Sequence, residues 1–339
     1  MRIMPLSAVA LLLAGAILVP VVAHAQSWTV TGFLHGKKDK PAEDLSGIAC
    51  EPEEDDARLC LLIDDETQFA QWVTLKGGAI VAGALLPLIS DHFDGKAVEL
   101  DGEGAAFADG AFYVIGSFGA PRTGAPDPES AARLKADSHF FRIVPEGDSW
   151  QISDAASLRS IILADPDLKL FADHELADNG LTIEGVTVSG DTAYIGFRGP
   201  VLGVDKSKAA ILSLPLSTLF KGAPLPAGTE VHKISLGIGK GVRDLATVGD
   251  DVLILAGPVG NEKKDHMAEG AYRLFRWSPG SDQASELLQL PLSIHGNDSP
   301  DKPEAVLPLG VADGHLDVLV LSDGPENGAP KSYRLDWSE

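Results

Sequence analysis

Five times along the chain a polar residue opens a short run of small and apolar ones, and an apolar segment beyond a turn signal answers it. The blocks are Ser46-Gly47-Ile48-Ala49, Glu103-Gly104-Ala105-Ala106, Glu184-Gly185-Val186-Thr187, Asp244-Leu245-Ala246-Thr247 and Glu304-Ala305-Val306-Leu307. Asp109-Gly110, Ser189-Gly190-Asp191, Gly249-Asp250 and Asp313-Gly314 then precede β-branched or aromatic runs at 111–115, 192–197, 251–256 and 316–321. That order of signals predicts a hairpin in each unit. A third run follows at 69–75, 139–144, 209–214, 272–277 and 332–337, and a fourth at 80–86, 150–153, 230–236 and 286–290. A repeat of roughly 60 residues predicts stacked copies of one supersecondary unit. Four antiparallel strands per copy, with small side chains on the crowded innermost strand, predict a propeller blade.

The fifth unit reaches Trp337 with no fourth strand, and residues 28–34 form a strand-like run with no unit of their own. Pairing that run onto the last unit closes the ring and leaves no open edge. The expected fold is therefore all-β: a single β-propeller over residues 26–339, with five four-stranded blades, closed by the N-terminal strand. A sixth, degenerate blade between Glu103 and Glu184 is the alternative. The surplus there, at 119–137 and 164–180, is rich in Pro, Gly and Asp and reads as loop.

Residues 1–25 read as a secretory signal, with Arg2 at the start, an apolar run from 6 to 23, and the small-x-small triplet Ala23-His24-Ala25 before the expected cut. Pro20 near the end of the apolar run argues against a retained membrane anchor. The expected location is periplasmic or secreted, with no membrane association after cleavage. In that compartment the only two cysteines, Cys50 and Cys60, are expected to form a disulfide across a charged turn. A formal net charge of −22 repels nucleic acid and attracts cations. The expected state is a monomer whose ligand is a small molecule, a peptide or a glycan.

In an antiparallel pair the start of the first strand and the end of the second share one end of the sheet. The block acids therefore lie on one face with Asp64, Asp65, Ser117, Arg198, Asn261 and Asp323, and the connectors between blades bring His35, His92, His174 and His295 to the same face. Carboxylates that face one another need a counter-charge or a proton. Arg198 and Arg243 could supply it, and so could a bound hard cation. Oxygen donors in a flexible ring suit calcium, with Asp101, Glu103, Glu184, Asp244 and Glu304 as candidate ligands. The plainer alternative is that these acids cap strands or accept amides of the neighbouring blade. Glu103, Glu184, His174 and Arg198 are the candidate catalytic residues: His174 is flanked by Asp173 and Glu175, and Arg198 sits in Gly196-Phe197-Arg198-Gly199-Pro200, where glycine lets a ligand approach the backbone. A Gly-x-Ser-x-Gly elbow and a phosphate-cradling Gly-rich loop with Lys-Ser/Thr are absent.

Asp101-Gly102-Glu103-Gly104, Ile183-Glu184-Gly185-Val186, Gly241-Val242-Arg243-Asp244-Leu245 and Lys302-Pro303-Glu304-Ala305 resemble the recurrent signatures of a bacterial exported family, domain of unknown function 3616. More distantly, the ordered series is similar to that of secreted propellers with esterase-like phytase activity. The second resemblance implies a central face that binds calcium and cleaves phosphate esters; here Ser46 stands where the pattern has an acid. Two main readings result: a metal-dependent hydrolase of an ester or phosphoester, and a propeller scaffold that binds a ligand or protein without turnover. A lactonase-like propeller ranks below both, because the blocks carry no Asn.

Overall fold

The computed structural model describes residues 25–120, 127–147, 149–220, 228–260, 269–296 and 299–338. The signal segment, through position 24, and Asn261 lie outside the described residues. Five sheets stand around an axis as the blades of a propeller, in agreement with the repeat. Their innermost strands are Leu45–Cys50, Gly102–Ala108, Thr182–Ser189, Lys240–Val248 and Lys302–Ala312. Each packs against the next, and the fifth returns to the first. Among the described residues no helix is long and apolar enough to cross a membrane.

Burial on both faces explains why the second strands read as unbroken apolar runs. Successive side chains of a strand point to opposite faces. In Ala111–Gly116, Phe112 and Val114 enter the core between blades 1 and 2, while Tyr113 and Ile115 enter the core between blades 2 and 3. In Asp251–Pro258, Val252 and Ile254 face blade 3, while Leu253 and Leu255 face blade 5. The five hydrophobic clusters correspond to the five junctions between blades, the last joining Leu45, Ile48 and Leu62 of blade 1 to Ala305, Leu307, Leu319 and Leu321 of blade 5.

Closure uses the N-terminal segment in two pieces. Gln26–Ser27 pairs antiparallel with Lys331–Asp336 and completes blade 5. Thr29–Thr31 then crosses to blade 1 and adds a fifth, parallel strand beside Ala79–Pro87. The run expected to pair wholly with the last blade is thus a strap between the last blade and the first. Cys50 and Cys60 are direct cross-strand partners in blade 1 and form the expected disulfide.

Among the described residues the surplus between blades 2 and 3 holds no sixth blade, but it is not all loop. Pro128–Asp137 is an α-helix, with Asp127 as N-cap accepting the amides of Glu129 and Ser130. Proline at the first helical position fits that start, because it has no amide to leave unpaired there. Leu158–Ala164 forms a second helix and buries Leu158, Ile161 and Ile162 in the core between blades 2 and 3.

Candidate functional site

All five innermost strands carry a β-bulge at the same level, and one residue in each is left out of the ladder. In blade 1 Leu45 pairs with Asp64 and Gly47 with Ile63, so Ser46 is the extra residue. The same count gives Glu103, Glu184, Arg243 and Glu304 in the other blades. Bulges re-aim a side chain and recur beside active sites. The residue equivalent to the three glutamates in blade 4 is therefore Arg243, and the repeat read from sequence is displaced there by one position.

Asp244 accordingly takes the place held elsewhere by Gly47, Gly104, Gly185 and Ala305. Its Oδ2 accepts the amide of Val306 in blade 5 at 2.7 Å and its Oδ1 accepts its own neighbour's amide, Leu245, at 2.7 Å. Burial raises its pKa well above the usual carboxylate range, against the pull of those two amides. Asp244 joins two blades and stands outside the carboxylate groups that could share an ion. Both of its oxygens are engaged by backbone amides.

Arg243 is fully buried and lies between the facing glutamates. Its Nη2 forms an ion pair with Glu304 and lies 3.5 Å from Oε2 of Glu184. Among the described residues its Nε and Nη1 have no hydrogen-bond partner. Arg198 approaches from the end of the second strand of blade 3, donating from Nη1 to Glu184 and from Nε to the Val259 carbonyl, both at 2.9 Å. Burial pulls the Arg198 pKa down, but Glu184, with Glu103 beyond it, more than offsets this and the net shift is upward. Ser46 donates to Glu304 at 3.4 Å. The hub is thus part carboxylate and part guanidinium, as the salt-bridge alternative anticipated.

The carboxylates continue outward from the hub in overlapping groups. Glu103, Glu184 and Glu304 form the first; Asp65, Asp101 and Glu103 the second; Asp44, Asp64 and Asp65 the third. Within each group one oxygen per residue lies within 4.8 Å of the others. Burial, then Glu184, Asp101 and Asp65, raise the Glu103 pKa well above its usual value, and Arg243 opposes them. Burial, then Asp101, Asp44 and Asp64, do the same to Asp65, whose Oδ1 has no hydrogen-bond partner among the described residues. Burial and Asp44 push Asp64 up to about 7, and burial and Asp323 push Asp44 up to about 6. The guanidiniums come from blades 3 and 4, while the second and third groups come from blades 1 and 2 and the connectors leading into them.

The other candidates divide. Asp323 is paired to Lys302 at 2.5 Å and bridges Asp44 through the backbone. His174 is exposed on its connector, where its ring meets the edge of Phe171, and it is not brought among the carboxylates. His35, His92 and His295 are each held locally, by Asp39, the Ser90 carbonyl and Asp301. The histidines reach the expected connectors without converging. Sequence reasoning missed Asp44, Asp137 and Tyr272. Asp137 ends the helix over 128–137, and burial and then Asp101 raise its pKa well above the usual range. Tyr272 is a buried phenol whose pKa burial raises, against Arg243, Arg198 and Lys302. Asp44 alone carried a signal, as an acid two residues before a block.

A family model described as "Protein of unknown function (DUF3616)" matches residues 149–333, more than half of the chain, and the chain belongs to that family. No curated protein matches it. Similar solved structures include the Phage phi92 endosialidase at 10% identity and TM-score 0.44, covering 92% of this chain and 56% of that one. Bacteroides ovatus Xyloglucan PUL GH43B is similar at 11% identity and TM-score 0.45, covering 92% of this chain and 54% of that one. A mutant of the Cellvibrio cellulosa alpha-L-arabinanase is similar at 12% identity and TM-score 0.43, covering 88% and 92%. The chain thus spans little more than half the length of the first two.

Proposed function

We propose that this member of the DUF3616 family is an exported hydrolase of an ester or phosphoester that holds a calcium ion at Asp65, Asp101 and Glu103. The observation that carries the reading is the division of the mouth: guanidiniums occupy the hub among Glu184 and Glu304, and the carboxylates of blades 1 and 2 extend away from them. The donors in all three groups are carboxylate oxygens, with no nitrogen or sulfur among them, which suits a hard cation. Bound there, calcium supplies a Lewis acid that polarises an ester or phosphoryl oxygen and acidifies a bound water.

The chain's own residues have separable tasks. Arg198, 11% exposed at the side chain and held by Glu184 and the Val259 carbonyl, can orient an anionic ester through its guanidinium. Glu184 holds that group in place. Glu103 stands at the junction of the hub and second groups, where burial favours its protonated form and a cation would favour the carboxylate. It is the residue placed to take a proton from water. Arg243 fixes Glu184 and Glu304 and is too buried to meet substrate.

The test is turnover of p-nitrophenyl phosphate and p-nitrophenyl acetate by protein stripped with chelator and then resupplied with calcium. Activity should fall at least tenfold in chelator and return with calcium, and Glu103→Gln should lower kcat by about a hundredfold or more. Turnover unchanged by chelator defeats the metal-dependent reading. If no ester is turned over by calcium-loaded protein, the mouth belongs to a binding scaffold for a small molecule, peptide or glycan.

A further inference from the structure

The third carboxylate group lies where the ring closes. Residues 34–44 link the N-terminal strap to blade 1 and are held on both sides of that junction. The Glu43 and Ala42 carbonyls accept the amides of Gly324 and Asn327 from blade 5, both at 2.7 Å, and the Asp44 carbonyl accepts the Asp65 amide of blade 1 at 3.0 Å. Asp44 also bridges Asp323 of blade 5. The three acids come from two segments, the connector at Asp44 and blade 1 at Asp64 and Asp65, with blade 5 held to the first by backbone contacts; one oxygen of each acid lies within 4.8 Å of the others.

Asp64 gives this group a meaning beyond a cluster of acids. It is only 5% exposed, its Oδ1 accepts the Glu66 amide at 3.2 Å, the Asp44 amide also approaches the carboxylate and holds its pKa down, and among the described residues its Oδ2 has no hydrogen-bond partner of good geometry. A buried carboxylate oxygen left unmatched costs free energy, and matching groups are the rule in folded proteins. A Cβ on Gly36 of the connector would lie 2.8 Å from the Ala42 Cα and 3.1 Å from that oxygen, so glycine lets the connector pass this close to it. Cationic side chains do come near. Lys302 is engaged by Asp323, and Lys37 reaches Glu66 at 2.8 Å and Glu99 at 3.7 Å. Neither is ion-paired to Asp64 or Asp65.

We propose that Asp44, Asp64 and Asp65 hold a second divalent cation, calcium by their all-oxygen donor set, that locks the seam between the first and last blades. Asp65 is the one residue it shares with the ion at Asp101 and Glu103, and the inference adds to the reading of the mouth given above. An ion bound only by the closed ring stabilises that ring by mass action. Its role is structural, where that of the other ion is chemical.

The experiment is calcium titration by calorimetry on chelator-stripped protein, with thermal unfolding in chelator and in saturating calcium. Wild-type protein should bind two calcium ions and rise in Tm by roughly 5 °C or more. Asp64→Asn and Asp44→Asn should each bind one ion and lose most of that rise, while Glu103→Gln should bind one ion and keep it. Two ions and an undiminished rise in both aspartate variants would overturn the seam site. A single wild-type ion that survives Asp64→Asn but not Glu103→Gln would overturn it too, leaving the mouth reading intact. A single ion with the opposite pattern would uphold the seam and defeat the ion at Glu103, and no bound calcium would defeat both.

Discussion

Arg243 and Asp64 are opposite solutions to the same problem, a charge taken out of water. Arg243 is matched by Glu184 and Glu304, and removing one member of a buried ion set strands the others at a cost of about 3–5 kcal/mol. Arg243→Met should lose stability of that order in urea unfolding, and a loss below about 1 kcal/mol would show that the glutamates do not need it. Among the described residues Asp64 has only backbone amides and no cation paired with it, and burial raises its pKa to about 7, above the ordinary aspartate value of 3.8. Between those values the folded chain keeps a proton that the unfolded chain has released, so stability of the metal-free protein falls as pH rises from about 4 to about 7. Three units correspond to at most about 4 kcal/mol. Asp64→Asn should flatten that slope in urea titrations run in chelator at pH 5 and pH 7.5, and an unchanged slope would count against the assignment. The acids of the blocks are readable as residues, yet Arg243 reads only as a counter-charge and not as the fourth block's own member, because that block aligns on its nearest acid. The bulge that decides the register is a property of the paired strands, and no single strand shows it.

At the scale of elements, the blocks are small because the inner strands touch. A Cβ on Gly104 would meet the Val186 amide nitrogen at 3.0 Å, and one on Gly185 would meet the Asp244 Cα at 2.8 Å. Gly310, on the inner strand of blade 5, has nothing within 4 Å of the same position. Gly185→Ala should therefore cost about 1–3 kcal/mol through overpacking, with Gly310→Ala the near-neutral control in the same denaturation assay. Equal effects would mean that the glycines are not there for contact. The strap makes a second element-scale prediction. Removing residues 26–31 strips the outer partner from Lys331–Asp336 and the fifth strand from blade 1, leaving two edges open. Light scattering should show concentration-dependent association of the truncated protein, and a stable monomer with wild-type Tm would refute the closing role. The hairpins and blade count were legible because alternation sends successive residues to different cores. The helix at 128–137 was lost because proline was read as a breaker, although Asp127 before it is an N-cap.

The whole molecule carries a formal net charge of −22, and a share of that charge is concentrated at the mouth, where seven carboxylates run from the seam to the axis. The ring assembles them from stretches of chain more than two hundred residues apart, which is why sequence spacing shows no ion-binding loop. Sequence reasoning could place these acids, Asp44 excepted, on one face but could not divide them. Only the closed ring shows that the hub is neutralised by arginine while blades 1 and 2 leave carboxylates facing one another. The most direct test of the central claim is anomalous scattering from crystals of the protein grown with calcium. The account predicts a strong peak bounded by Asp65, Asp101 and Glu103, with the Arg243 guanidinium undisplaced. A mouth without a peak, or a peak that displaces Arg243 from between Glu184 and Glu304, would contradict it.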